Sequence, residues 1–424
     1  MKRTVKFSLA LGLLIACAAA LVWFLNLRDE VDLSAPVAYA PSEALVARGA
    51  YLARAGNCMT CHTAKGGESY AGGRGIATPF GTVYTSNLTP DNKTGIGSWS
   101  SAHFWRAMHN GRSKDGRLLY PAFPYTDYTQ VTREDSDALY AYLHSLPAVA
   151  QPNHAHTVRF PYNSQAALAV WRALYFSPGV YQADSSRDAE WNRGAYLVKG
   201  LGHCAACHTE RNALGASNES LNLAGGLIPM QNWYAPSLTS PHEAGVADWD
   251  KAHIVSLLKT GVSPRASVTG PMADVVLNST QYLNEQDLGA MAQFLKTLPA
   301  AAPDSDKPGT PAMSSVKGAK LYEQHCAQCH GKAGEGVANA YPALAGNRAV
   351  TMKSTANLVQ IVLNGGYAPS TAGNPRPYGM PPFVLVMNDA DMAAVLTHVR
   401  GSWGNQASEI TPFDVSRLRA NRAP

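Results

Sequence analysis

The sequence predicts an all-α protein of three tandem helical units behind a single apolar N-terminal helix. Six of the seven cysteines fall into three copies of one pattern: Cys58-Met-Thr-Cys61-His62, Cys204-Ala-Ala-Cys207-His208 and Cys326-Ala-Gln-Cys329-His330. Similar helix-periodic stretches surround each copy, so each repeat makes one unit. No stretch reads convincingly as an extended sheet. The composition, 46% hydrophobic and 15% charged over 424 residues, is globular and too long for one ordinary core. It excludes disordered and low-complexity classes. The net charge of +5 resides at the two ends, in Lys2, Arg3 and Lys6 and in Arg417, Arg419 and Arg422. A nucleic-acid partner finds no basic body to hold.

The first element, residues 1–30, is an anchor or signal segment. Phe7 to Leu25 is uncharged for 19 residues; as a helix it covers about 28 Å, close to the hydrocarbon thickness of a bilayer. The basic residues before it orient the N-terminus to the cytoplasm and export the rest. A retained anchor is favoured. Cleavage is the main rival, with Ala38-Tyr39-Ala40 as the small-x-small site, but Pro41 follows it and it lies far from the apolar run. A lipoprotein reading of Leu14-Ile15-Ala16-Cys17 is weaker still, because the apolar stretch continues past Cys17.

The three units are expected at 43–150, 189–299 and 313–404. Each opens on a helix that presents the motif, beginning Arg48-Gly49-Ala50-Tyr51-Leu52, Arg193-Gly194-Ala195-Tyr196-Leu197 and Lys317-Gly318-Ala319-Lys320-Leu321. A second helix follows, stopping at Gly111, Gly261 and Gly365. A Leu- and Ala-rich helix closes each unit, Asp135 to Leu146, Glu285 to Leu298 and Asp389 to Arg400. Residues 151–188 connect the first unit to the second. Their centre, Ala166 to Phe176, is apolar on nearly every side except Arg172, as a core helix or one docking on a partner or membrane would be. A Pro/Asp-rich linker, 300–312, joins the second unit to the third, and 405–424 form a C-terminal tail.

Two thiols three residues apart reach the two vinyl groups of one haem and form thioethers, and the histidine that follows sits under the ring to ligate iron. Cys58, Cys61, Cys204, Cys207, Cys326 and Cys329 therefore predict three covalently bound haem c groups, with His62, His208 and His330 as proximal ligands. The same letters serve zinc or a redox disulfide. Zinc needs further donors that the sequence does not supply at a regular offset, and a disulfide has no use for a trailing histidine three times over.

On the opposite face of each ring, a methionine closes the iron and raises its potential. Met272 in Gly270-Pro271-Met272-Ala273 and Met380 in Tyr378-Gly379-Met380-Pro381-Pro382 are expected to be distal ligands carried on loops before the closing helices. The corresponding first-unit position is Phe123, which cannot ligate iron, so the first haem has no identified distal ligand. Met108 aligns with Leu258 and Val362 inside a helix and reads as core. His103 and His109 have no support as ligands. His144, His154, His156 and His398 read as surface or locally bonded residues, and Trp99 and Trp249 as packing beside haem.

The three motifs behind an export segment, the Gly-Ala-Tyr-Leu openings, Thr85-Ser86-Asn87-Leu88-Thr89-Pro90-Asp91, Leu119 to Tyr125 and Gly379-Met380-Pro381-Pro382 resemble the triple-haem cytochrome c subunits of bacterial membrane-bound dehydrogenases. The resemblance implies three class I-like cytochrome c domains on the periplasmic side of the inner membrane. It also implies a catalytic partner subunit that oxidises alcohols, aldehydes, gluconate or similar substrates, and electrons passed to ubiquinone, a downstream cytochrome or an oxidase of the respiratory chain. The chain looks most like a branch accompanying molybdenum-containing aldehyde or N-heterocycle dehydrogenases. Phe123 departs from the methionine that many relatives carry. No flavin, nicotinamide or pterin site is legible, so the chain itself is expected to conduct electrons and not to select substrate. Two rivals are a peroxidase-like haem enzyme that uses an open first haem, and the cytochrome subunit of a terminal oxidase.

Overall fold

The computed structural model describes residues 2–30, 32–33, 41–301, 313–338 and 340–420. The centre of the expected linker, 302–312, and the Ala38-Tyr39-Ala40 site lie outside the described residues. The chain divides into two compact units. The first comprises residues 1–53, 58–183 and 199–203, and the second comprises 54–57, 184–198 and 204–424.

The apolar segment is one helix, Lys2–Asn26, whose most apolar 18-residue window has a mean hydropathy of 2.4 with no residue buried. It is long and apolar enough to cross a membrane.

Each repeat is built around the crossing of its presenting and closing helices, and the sequence prescribes that crossing three times. The pairs are Glu43–Ala55 with Arg133–Ser145, Ala189–Tyr196 with Glu285–Lys296, and Val316–His325 with Asp389–Gly401. The glycine of each opening motif is the contact point, since a Cβ at Gly49, Gly194 or Gly318 would collide with the carbonyl oxygen of Ala138, Ala290 or Ala394. Only a residue without a side chain lets the two backbones approach so closely. The basic residue just before that glycine pairs with an aspartate in the first turn of the closing helix: Arg48 with Asp135, Arg193 with Asp287, and Lys317 with Asp391. The backbone N–H of the same aspartate donates to the helix cap, Thr132, Asn284 or Asn388, so cap and ion pair fix the crossing together. Leu52, Leu139 and Leu143 are fully buried in the first module, each contributing roughly 1.5–3 kcal/mol of apolar burial.

The middle helices Ser101–Asn110, Lys251–Thr260 and Ala356–Asn364 end at Gly111, Gly261 and Gly365, all at positive φ. The third module's core gathers Tyr322, Val359, Leu363, Met392 and Leu396. Residues of the expected tail join it: helix Pro412–Ala420 adds Val415 and Leu418, and Arg419 pairs with Asp389. Arg400 is 0% exposed there. Its guanidinium donates to the carbonyls of Val350, Met352 and Ser408, which satisfies the charge without a carboxylate.

The expectation of no sheet needs correction in detail, although the fold remains all-α. In the first module Gly75–Thr78, Gly81–Tyr84 and Thr157–Val158 form a three-stranded antiparallel sheet, with Ile76 opposite Val83 and Gly81 opposite Val158. These strands are too short for alternation to show in sequence. Gly81 is the close approach, where a Cβ would strike the Thr157 carbonyl.

Within the second unit, the second and third modules share a polar seam. Tyr234 N–H donates to Asn357 Oδ1 (2.8 Å) and Asn357 Nδ2 donates back to the Tyr234 carbonyl (2.7 Å). Asp248 receives Arg265 (2.8 Å) and Arg348 (3.0 Å) on one carboxylate oxygen.

Candidate functional site

The three Cys-x-x-Cys-His turns fold alike. The histidine N–H closes one turn onto the first cysteine's carbonyl, His62 on Cys58, His208 on Cys204 and His330 on Cys326. The histidine carbonyl then accepts from a glycine N–H, of Gly72, Gly225 and Gly336 respectively. All three glycines hold positive φ, a conformation that costs glycine little.

The imidazoles are oriented identically. His62 Nδ1 bonds the Ser86 carbonyl at 2.7 Å, His208 Nδ1 that of Pro236 at 2.7 Å, and His330 Nδ1 that of Pro342 at 2.9 Å. A bond to a carbonyl requires the proton on Nδ1, which leaves the Nε2 lone pair for a metal. Burial lowers the pKa of all three rings against the opposing backbone bond, and so keeps them neutral and able to ligate. The acceptors were not foreseen from sequence. The one signal is a leucine two residues later in each case, at Leu88, Leu238 and Leu344.

None of the six motif cysteines forms a disulfide. Burial pushes the Cys58 thiol up to about 12 and that of Cys326 up to about 11, each helped by its pair partner. Among the described residues no three His, Cys, Asp or Glu side chains cluster as a metal site.

Around the residues expected on the distal side the modules differ. In the third, Tyr341 lies 6.5 Å from the His330 ring and 5.1 Å from Tyr378, two residues before Met380. Met380 sits on a two-residue strand paired with Gly366 and packs against the module core. In the second, Met272 was expected on a loop but occupies the first turn of helix Pro271–Asn278. Pro271 is preset for helix entry, and Gly270 at φ 55 turns the chain into it. Gly270 also abuts the Trp233 ring, three residues before the carbonyl that holds His208.

In the first module Phe123 packs on Tyr128, ring centroids 5.3 Å apart. Tyr128 is buried, and burial together with the neighbouring Cys58 and Cys61 pushes its hydroxyl well above the ordinary range. Met108 is buried within the middle helix. His109 stacks on Trp105 at 4.6 Å and bonds the Thr129 carbonyl. His103 closes a capping box with Ser100. His144 bonds the Ile96 carbonyl, His156 accepts from the Tyr84 N–H, and His398 meets Ser314. His154 packs 5.5 Å from Tyr84.

These residues fit a covalently held haem: histidines bonded through Nδ1 with Nε2 available, and paired cysteines free of disulfides on the same turn. In the second module the buried Trp249 Nε1–H lacks an acceptor among the described residues, a donor that suits a carboxylate of a bound group.

The repeated helical module and its uniform histidine orientation define a c-type cytochrome architecture. The chain belongs to the cytochrome c family, whose sequence model matches residues 46–147, 192–299 and 315–403; members of this family carry covalent haem c. It is 41% identical over 400 residues to the cytochrome c subunit of a quinone alcohol dehydrogenase of Gluconacetobacter polyoxogenes, covering 90% of this chain and 85% of that one. It is 38% identical to the gluconate 2-dehydrogenase cytochrome c subunit of Pantoea cypripedii, covering 89% and 90%. It is also 39% identical to a subunit of the nicotinate dehydrogenase of Pseudomonas putida, covering 98% of this chain but 35% of that longer one.

Proposed function

We propose that this chain is the electron-transfer subunit of a membrane-attached dehydrogenase complex. Three haems carry electrons from a separate catalytic subunit, which oxidises an alcohol, aldehyde, gluconate or related substrate on the periplasmic side of the inner membrane, to ubiquinone or a later respiratory carrier. The observation that carries the reading is the histidine Nδ1–carbonyl bond, repeated in all three modules, which fixes each ring for axial ligation. Cys58 and Cys61, Cys204 and Cys207, and Cys326 and Cys329 hold the haems. His62, His208 and His330 are proximal ligands, and Met272 and Met380 are distal. When bound, haem supplies a reversible one-electron couple. The chain's own work is to orient the imidazoles, to keep them neutral by burial and to shield the rings with apolar core. The fit to the matched subunits supports a partner that does the substrate chemistry.

Phe123 favours a second reading at one site, in which the first haem lacks a protein ligand on its distal face and a small molecule reaches it there. The test is purification of the complex from native membranes, with identification of its subunits, a haem-to-protein ratio and carbon monoxide titration. A dehydrogenase subunit, three haems per chain and no peroxide turnover are expected. A haem-copper partner, or a chain whose denatured form retains no porphyrin, overturns the proposal. Peroxide turnover with carbon monoxide bound at one haem favours the enzyme reading.

A further inference from the structure

The apolar helix Lys2–Asn26 does not end as a loose tether. Its last residues enter a buried cluster of the first unit. Asn26 Nδ2 donates to the Ala169 carbonyl at 2.9 Å, and Asn26 Oδ1 accepts from Arg172 Nε at 2.9 Å. Arg28 donates to the Phe176 carbonyl at 3.0 Å, and Asn110 donates to the Asp29 carbonyl at 2.8 Å. Glu30 faces Arg112 at 2.9 Å and Arg106 at 3.6 Å. Arg106 and Arg172 are only 8% and 4% exposed. Cleavage beyond Glu30 would remove the carboxylate that Arg106 and Arg112 share and the side-chain amide that accepts from Arg172, leaving Arg106 with the Ser113 and Lys114 carbonyls as its remaining acceptors.

Asn26 and Arg28 bind the connector helix Gln165–Tyr175, joining it to the membrane span. Arg172 is that helix's one charged residue, and it is turned inward. The opposite side is apolar and open: Val170 is 48% exposed and Leu174 64%, with Phe160 at 84% and Tyr162 at 40% in the turn before it. A helix facing water presents charge on that side. An uncharged face with aromatic flanks, continuous with a bilayer span, has the character of an interfacial membrane element.

We propose that the connector helix and the Phe160–Tyr162 turn rest in the lipid headgroup layer beside an uncleaved anchor, so that two contacts and not one hold the first module to the bilayer. The inference rests on the membrane attachment proposed above and is independent of the electron-transfer reading.

A lipid-borne diazirine, activated in native membranes holding the whole complex and followed by peptide mass spectrometry, tests it. Lipid adducts are expected on the anchor and on the tryptic peptides Phe160–Arg172 and Ala173–Arg187, with none on Gly66–Arg74. The double variant V170N/L174N should lower the connector label about tenfold while the anchor label stays unchanged. The intact mass of the mature chain should include residues through Glu30. A labelled anchor with an unlabelled connector overturns the inference while leaving attachment standing, as does a connector cross-linked to a protein subunit. A mature N-terminus beyond Glu30 overturns both the uncleaved anchor and attachment by it.

Discussion

The first and third modules use the same devices and part at one side chain. Both cross their terminal helices at a glycine, Gly49 or Gly318, guarded by a basic residue paired with an aspartate. Both hold the motif histidine by Nδ1 on a backbone carbonyl, Ser86 or Pro342. Met380 packs on the core of the third module, whereas Phe123 packs on Tyr128 in the first. The proximal half of each site is thus built by the fold, through backbone atoms that no substitution removes. On the proposed assignment the distal half is one replaceable side chain, and it is there that two copies of one architecture would acquire different chemistry.

The largest effect should come from exchanging that side chain. Met380→Ala is expected to lower one midpoint potential by on the order of 100 mV and to admit carbon monoxide to that iron, whereas Phe123→Met should raise the first haem's potential by a similar amount and close it. Redox titration with optical carbon monoxide difference spectra reads both. Unchanged potentials in both variants would abolish the proposed distinction between the modules.

A smaller effect bears on what the modules share. Gly49→Val and Gly318→Val should each destabilise their own module by about 1–3 kcal/mol, because the added carbons meet backbone and not a flexible side chain. Denaturant titration followed at the Soret band checks this, and unequal losses would show that the crossings are not equivalent. Asp135→Ala, which leaves Arg48 unpaired, should cost less, about 1 kcal/mol, since Arg48 is half exposed.

The mildest prediction concerns the seam that joins the third module to the second. Burial alone would raise the Asp248 carboxyl, but hydrogen bonds from Arg265 and Arg348, and their charges, outweigh it and hold it below its ordinary 3.8. A depressed carboxylate pKa contributes stability that is fully present above the ordinary value and is lost as pH falls through the lower folded value. Hydrogen exchange at Tyr234 and Asn357 should therefore be unaffected by pH, beyond intrinsic chemistry, down to about 4 and lose protection below it. Asp248→Asn should remove that acid step, and a step that persists in the variant would assign it to another group.

Much of this was readable because it is local in the chain. The Cys-x-x-Cys-His turns, the stop glycines and the glycine of each opening motif are contiguous patterns with one structural solution. The carbonyls that hold the histidines were not readable. They lie 24, 28 and 12 residues downstream, so no fixed offset marks them, and a backbone oxygen has no residue identity. The helical setting of Met272 is not readable in sequence because Gly-Pro before it reads equally well as a loop.

By itself the sequence determined the three Cys-x-x-Cys-His turns, the helix ends and the span of the apolar helix, since each depends on residue type and short-range spacing. Tertiary structure alone decided which lone pair each histidine presents, what surrounds Phe123, and how Asn26 to Glu30 bury against arginines some 80 to 150 residues away. These outcomes depend on desolvation and on partners distant in the chain, which packing brings together and a linear pattern does not encode.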